Sequence, residues 1–258
     1  SVCNRKDLDE PVAVNALKRF AADGERERRR LDGDGPDHPP KARATGKKVA
    51  IVGSGPAGLT AAYDLALNGH DVSIYEAAPV AGGMLRLGIP DYRLPKNGLQ
   101  EEIDDLLSIG IELWLDTPIG PNLTLDDLKS QGHDATFLAV GAQKSLRLDI
   151  PGVELDGVMH GVEFLRAVSL DEETRVGRRV AVIGGGDVAM DVAQTVLRLG
   201  AEHVMILYRR TEEEMPAHAE ERISAQEEGI EFRYLTAPTG ILGDGAMTGV
   251  ECQRMELG

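Results

Sequence analysis

Cysteine is nearly absent from this chain: Cys3 and Cys252 are the only two among 258 residues. They allow no disulfide framework and no C-x-x-C pair, which argues against a thiol–disulfide exchanger. No stretch approaches the roughly 20 uninterrupted apolar residues that span a bilayer, so no membrane partner is expected. The opening residues, Ser1-Val2-Cys3-Asn4-Arg5-Lys6, hold no apolar signal core, and a cytoplasmic location is the expectation. Positive charge is also short, with 28 Lys/Arg against 43 Asp/Glu and a net charge of -15. Phosphate backbones would be repelled, so nucleic acid is not expected as a partner. The imbalance is uneven: residues 1–48 carry 12 basic and 9 acidic side chains, and the remainder 16 and 34. This reads as an acidic body behind a mixed-charge lead segment.

What is present suits an α/β protein of one or two domains: 42% hydrophobic residues and 30 glycines, with enough length for a full core. Residues 11–31 read as a helix with Val14, Leu17, Phe20 and Ala21 on one stripe and Arg26–Arg30 at a solvated end. The run Asp32-Gly33-Asp34-Gly35-Pro36-Asp37-His38-Pro39-Pro40 is a linker, and the body is expected from about Gly46. Beyond it strands and helices alternate. Strands are expected at 49–53, 72–76, 111–115, 135–140, 180–184 and 204–208, and helices at 57–68, 99–109, 125–131, 161–168 and 188–199. Such alternation predicts parallel sheets covered by helices.

One unit occurs twice. Val49-Ala-Ile-Val-Gly-Ser-Gly-Pro-Ala-Gly58 lies on Val180-Ala-Val-Ile-Gly-Gly-Gly-Asp-Val-Ala189 at a constant offset of 131, which also carries Gly69 onto Gly200. Two copies of a strand–glycine loop–helix unit predict two nucleotide sites.

In the first copy Gly53, Gly55 and Gly58 form G-x-G-x-x-G, with Pro56 and Ala57 completing the loop. Gly53 allows the sharp turn, Gly55 lets a pyrophosphate approach the backbone, and Gly58 lets helix and strand pack closely. The free N–H groups of the helix start then face the anion. Glu76, 23 residues after Gly53, ends the next strand, where an acid can hold a ribose hydroxyl. FAD is favoured here by Ala81-Gly82-Gly83-Met84-Leu85, placed where flavoproteins wrap the nucleotide, with Gly83 and Leu85 as candidate contacts. Thr136-Phe137-Leu138-Ala139-Val140-Gly141-Ala142 resembles the segment that closes an FAD domain and adds Gly141.

In the second copy Gly184, Gly186 and Ala189 form G-x-G-x-x-A around Gly185, Asp187 and Val188. Allowing for one extra residue, Tyr208 takes the place of Glu76, and Arg209-Arg210 follow. A carboxylate would repel a 2′-phosphate, whereas guanidinium groups bind it through forked, charge-assisted hydrogen bonds. NADPH is therefore expected rather than NADH.

These motifs resemble the small (beta) subunit of NADPH-dependent glutamate synthase and related FAD and iron–sulfur oxidoreductases. Leu87-Gly88-Ile89-Pro90-Asp91-Tyr92-Arg93-Leu94-Pro95-Lys96 is similar to the family's segment beside the flavin. Ile183-Gly184-Gly185-Gly186-Asp187-Val188-Ala189-Met190-Asp191 resembles its NADPH loop, where many members carry Asn at the place of Asp187. Tyr208-Arg209-Arg210 and Glu214-Met215-Pro216-Ala217 match its phosphate-recognition strand and the turn beyond. The resemblance implies Arg93 as a flavin-side residue. It also implies hydride transfer from NADPH to FAD, then single electrons passing through [4Fe-4S] clusters to a glutamate synthase large-subunit-like or ferredoxin-like acceptor. No catalytic acid, base or nucleophile is required, because the cofactors carry the chemistry.

The same resemblance makes residues 1–45 a helical remnant of an iron–sulfur domain plus linker, with Cys3 as its last metal ligand. Residues 46–152 are then the N-terminal part of an FAD-binding domain, and 153–258 an NADPH-binding domain. The expected fold is thus two Rossmann-like dinucleotide-binding domains, and the chain is expected to be a piece of a longer protein. Cys252, in an expected strand at 250–255, reads as structural, and Gly243-Asp244-Gly245 as a hairpin turn. Two alternatives share every motif: a nucleotide-binding module without turnover, and a reductase with a pyrimidine or ferredoxin acceptor.

Overall fold

The computed structural model describes residues 3–143 and 147–256. Ser1, Val2 and Gly258, at the ends of the expected domains, lie outside the described residues. The chain divides into two compact units, Ser1–Pro40 and Lys41–Gly258.

In the first unit a 3-10 turn at Asn4–Asp7 precedes helix α1 (Val14–Asp32), which ends on Gly33 at φ +73°. Arg28 pairs with Glu25 and Asp32 along its last turns. The expected apolar stripe is left uncovered, with Leu17 59% and Phe20 78% exposed. A unit this small has no core in which to bury them.

The second unit begins at Lys41, ahead of the expected Gly46. Residues of this arm already bond to the body: Lys41 Nζ donates to the Ile109 carbonyl, Ala42 N–H to Leu67, and Thr45 N–H to Gly69. The elements follow as β1 (Lys48–Val52), α2 (Pro56–Leu67), β2 (Asp71–Tyr75), α3 (Met84–Leu87), α4 (Lys96–Leu107), β3 (Glu112–Trp114), α5 (Leu125–Ser130) and β4 (Ala135–Leu138). Then come α6 (Gly161–Ser169), β5 (Arg179–Ile183), α7 (Asp187–Arg198), β6 (His203–Leu207), α8 (Ala219–Glu227), β7 (Glu231–Arg233), β8 (Thr236–Asp244) and β9 (Ala246–Arg254).

The first sheet is parallel in the order β3-β2-β1-β4, and the second is parallel in the order β5-β6-β7. Strand β1 is buried on both faces, as a helix-covered parallel strand must be. Val49 and Ile51 join Leu59, Ala62, Leu99 and Ile103 of α2 and α4, while Ala50 and Val52 join Leu128 of α5. In the second half Val182, Val204 and Ile206 pack with Phe164, Met190, Ala193 and Val196 of α6 and α7. Each fully buried isoleucine, such as Ile74 or Ile206, contributes about 1.5–3 kcal/mol.

Both sheets belong to the one compact unit Lys41–Gly258. Three features depart from the expectations. Elements α3, α8, β7 and β8 had no strong sequence pattern. Strand β4, at the edge of its sheet, is exposed throughout. Cys252 lies in β9 but is exposed rather than packed, on the outside of the β8–β9 hairpin. That hairpin does turn at Asp244-Gly245, with Gly245 at φ +76°.

Candidate functional site: two glycine loops

Both loops leave the carboxyl end of a parallel strand, β1 inside its sheet and β5 at the edge of its own, and enter a 12-residue helix. Strand pairing aligns Val52 with Tyr75 and Ile183 with Leu207. The bonds that follow also match: Gly53 N–H donates to Tyr75 and Gly184 N–H to Leu207. Glu76 and Tyr208 therefore occupy one register position, as the sequence offset predicts.

The first loop is closely constrained. Gly53 has φ +104°, and a Cβ there would lie 2.5 Å from the Ala139 carbonyl oxygen. A Cβ at Gly58 would fall 1.9 Å from the Gly53 oxygen. Gly83, at φ +54°, is pressed against Gly55, whose Cα would lie 2.7 Å from a Cβ at Gly83. Gly55 itself is open: the nearest atom to its notional Cβ is Gly83 Cα at 3.9 Å. Pro56 starts α2, and Pro56 and Ala57 are exposed beside the first-turn amides, which have no intrahelical acceptor.

Glu76 lies under this loop and is buried. One carboxylate oxygen accepts from Ser54 N–H (2.8 Å) and Ser54 Oγ–H (2.6 Å), and the other from Ala78 N–H (2.8 Å). Gly82 N–H donates to Ser54 Oγ, which ties the 81–85 segment to the loop. Leu85 packs its side chain into the core, and its carbonyl accepts from Lys96 Nζ. Gly141 follows β4 at φ +65° and is exposed.

The second loop differs underneath. Gly185 is buried against the Tyr208 ring, which a Cβ would meet at 2.6 Å, and Tyr208 O–H donates to the Glu214 carbonyl. Gly184 has φ +136°, and Ala189 is buried behind it. No atom lies within 4 Å of a Cβ built on Gly186, so the backbone there is approachable. Val188 is exposed on the first turn of α7. The turn around Met215-Pro216-Ala217 docks on the loop, with Ala217 N–H donating to the Gly185 carbonyl. Asp187 accepts from His218 N–H and pairs with its ring at 3.1 Å. Burial raises the Asp187 pKa, but the His218 amide and ring outweigh it, leaving the carboxyl below its usual range.

Arg209 and Arg210 are exposed on a fixed backbone: Tyr208 N–H donates to Arg233, and Leu235 N–H to Arg210. Arg210 lies 4.0 Å from Glu214, and Arg209 has no ion-pair partner among the described residues.

Arg93 does not line either loop as an isolated cation. Its guanidinium joins Asp191 (2.8 Å) on α7 and Glu221 (2.8 Å) on α8. Tyr92 O–H donates to the Asp191 carbonyl, and Arg198 lies over the Tyr92 ring at 4.0 Å. Sequence reasoning missed Asp191, Arg198 and Glu221. Arg93 and Asp191 both lie within quoted motifs, but no local pattern pairs residues 98 positions apart.

Cys3 precedes the 3-10 turn of the first unit and is partly exposed. Among the described residues no group of three or more His, Cys, Asp or Glu is placed to hold a metal. No helix among them is long and apolar enough to cross a membrane.

Residues 47–256 match the family described as pyridine nucleotide-disulphide oxidoreductase. The chain belongs to this family. It is 44% identical, over 99% of its length, to the NADP(+)-dependent formate dehydrogenase subunit beta of Moorella thermoacetica. It is 42% identical, over 84% of its length, to the glutamate synthase [NADPH] small chain of Escherichia coli K12. The chain spans 39% of the first relative and 48% of the second. A Mycobacterium tuberculosis FprA in complex with NADPH shares the fold, with a TM-score of 0.68 and 21% identity over 81% of this chain and 63% of that one. The parallel sheets and glycine loops are therefore those of a Rossmann-like FAD/NAD(P)-linked reductase fold.

Proposed function

We propose that this chain is the nucleotide-binding core of an NADPH-dependent flavin oxidoreductase, with FAD at the first loop and NADPH at the second. The contrast at one register position carries the reading: a buried carboxylate at Glu76, and Tyr208 followed by Arg209-Arg210. Glu76 keeps lone pairs for a ribose hydroxyl, while the two guanidinium groups favour a 2′-phosphate. Gly55 and Gly186 leave room for a pyrophosphate to reach backbone amides. Gly141, Gly83 and the Leu85 backbone border the flavin side, and Asp187, held by His218, borders the second pyrophosphate. When both are bound, NADPH supplies a hydride and FAD accepts it, releasing electrons one at a time.

Onward transfer through iron–sulfur clusters of the whole protein, with Cys3 as a ligand, to a glutamate synthase large-subunit-like or ferredoxin-like acceptor belongs to the same proposal. So does a cytoplasmic location. A second acceptor reading is favoured by the Moorella relative, whose name places it in a formate dehydrogenase and which matches more of this chain than the glutamate synthase relative does.

The test is the visible spectrum of the purified protein with FAD, before and after anaerobic NADPH. Flavin bands that remain with the protein and bleach support the reading; retained bands that NADPH leaves unchanged overturn it.

A further inference from the structure

The segment between α3 and α4 is built as a rigid strap. Lys96 Nζ donates to the carbonyls of Leu85 and Ile89, Lys96 N–H donates to Asp91, and Arg93 and Leu94 N–H both donate to the Pro90 carbonyl. Pro90 and Pro95 restrict the backbone further, and Pro95 leads directly into α4. This strap belongs by sequence to the half that carries the first loop, yet its tip is attached to the other half. Asp191 is buried on the helix that begins at the second loop, one turn beyond Asp187. Glu221 comes from α8, which follows the turn docked on that same loop. Arg93 meets both carboxylates, and a forked guanidinium can do so with fixed geometry. Arg198, also on α7 and paired with Glu228, covers the Tyr92 ring.

Desolvation offsets much of the attraction in a buried pair of this kind, so its larger consequence is geometric. We propose that Arg93 is a positioning residue that fixes the two loops relative to each other by clamping the strap to α7 and α8. The proposal rests on the reading of the loops as flavin and nicotinamide sites for its catalytic consequence, but the clamp itself is independent of that reading. Loosening it leaves each loop intact and misplaces one against the other. A displacement of about 1 Å is enough to slow a transfer by up to 100-fold.

The test compares Arg93→Met, Arg93→Lys, Asp191→Asn and the Arg93→Met/Asp191→Asn double variant in the intact protein. Two readouts are taken: amide hydrogen exchange without nucleotide, and single-turnover flavin reduction by NADPH. Arg93→Met and Asp191→Asn are expected to speed exchange in the strap and the first turns of α7. They should slow reduction at saturating NADPH by about 10-fold or more, with FAD content and half-saturating NADPH nearly unchanged. Arg93→Lys, which keeps the charge but not the fork, should recover part of the rate. The double variant should be no slower than the worse single, because both remove one interaction. Unchanged exchange, an unchanged rate, or a loss confined to nucleotide affinity would overturn the clamp. Wild-type protein whose bound flavin is not reduced by NADPH would instead overturn the proposed function, while the exchange comparison would still decide the clamp. Should Arg93→Met fail to fold, Arg93→Lys and Asp191→Asn carry the same two readouts.

Discussion

Ser54 and Gly185 hold the same place in two glycine loops, yet the first bonds a carboxylate and the second lies under a tyrosine ring. Their backbones are the same device: a strand, a glycine at positive φ, an open glycine, and a helix start. What separates them is one pair of side chains beneath each loop. In the first copy Ser54 and Glu76 form a buried polar pair. In the second, Gly185 makes room for Tyr208, and the strand continues into two exposed arginines. On the function proposed above, a duplicated frame favours two different nucleotides through the residues at one strand end, without a change of fold.

The comparison breaks most sharply at the third glycine. Gly58→Ala puts a Cβ 1.9 Å from the Gly53 oxygen, so helix α2 must move off its strand. A loss of about 3 kcal/mol is expected in urea unfolding. Ala189→Gly, at the matched position of the second copy, should cost only about 1 kcal/mol. Equal costs would mean that the two helices pack alike.

Next comes charge. Arg209→Glu should weaken NADPH by about 100-fold, the value of a lost charge-assisted pair, and NADH by less than about threefold, measured by equilibrium titration. Equal losses would remove Arg209 from the phosphate site.

The strand–loop–helix frames and the register of Glu76 with Tyr208 were legible in the sequence, because glycine spacing and strand periodicity are local. So was the turn at Gly245. Helix α8 was not: only Ala225 is buried along Ala219–Glu227, so it carries no apolar stripe. Strand β7, three residues long, offers too few positions for a period. The attachment of Arg93 to Asp191 was hidden because sequence patterns report which face of an element is apolar, not which distant element meets it. For the same reason the exposed Cys252 read as structural.

The smallest effect concerns Asp187 and His218. Because the folded Asp187 carboxyl is held below its usual range, its contribution to stability is complete above about pH 4 and is lost as pH falls through the lowered value. His218→Ala should therefore be less stable than wild type at neutral pH, with the gap closing on acidification, as followed by circular dichroism. A gap independent of pH would assign the effect to packing.

The division of labour between the loops is tested most directly by crossed binding titrations of Gly55→Val and Gly186→Val with FAD and NADPH. Neither glycine has a positive φ, and a Cβ built on either meets no atom closer than 3.9 Å, so both variants should fold and obstruct an approaching ligand. Gly55→Val is expected to lose FAD and keep NADPH, and Gly186→Val to do the reverse. Loss of the opposite nucleotide, or of both equally in either variant, would contradict the two-site account.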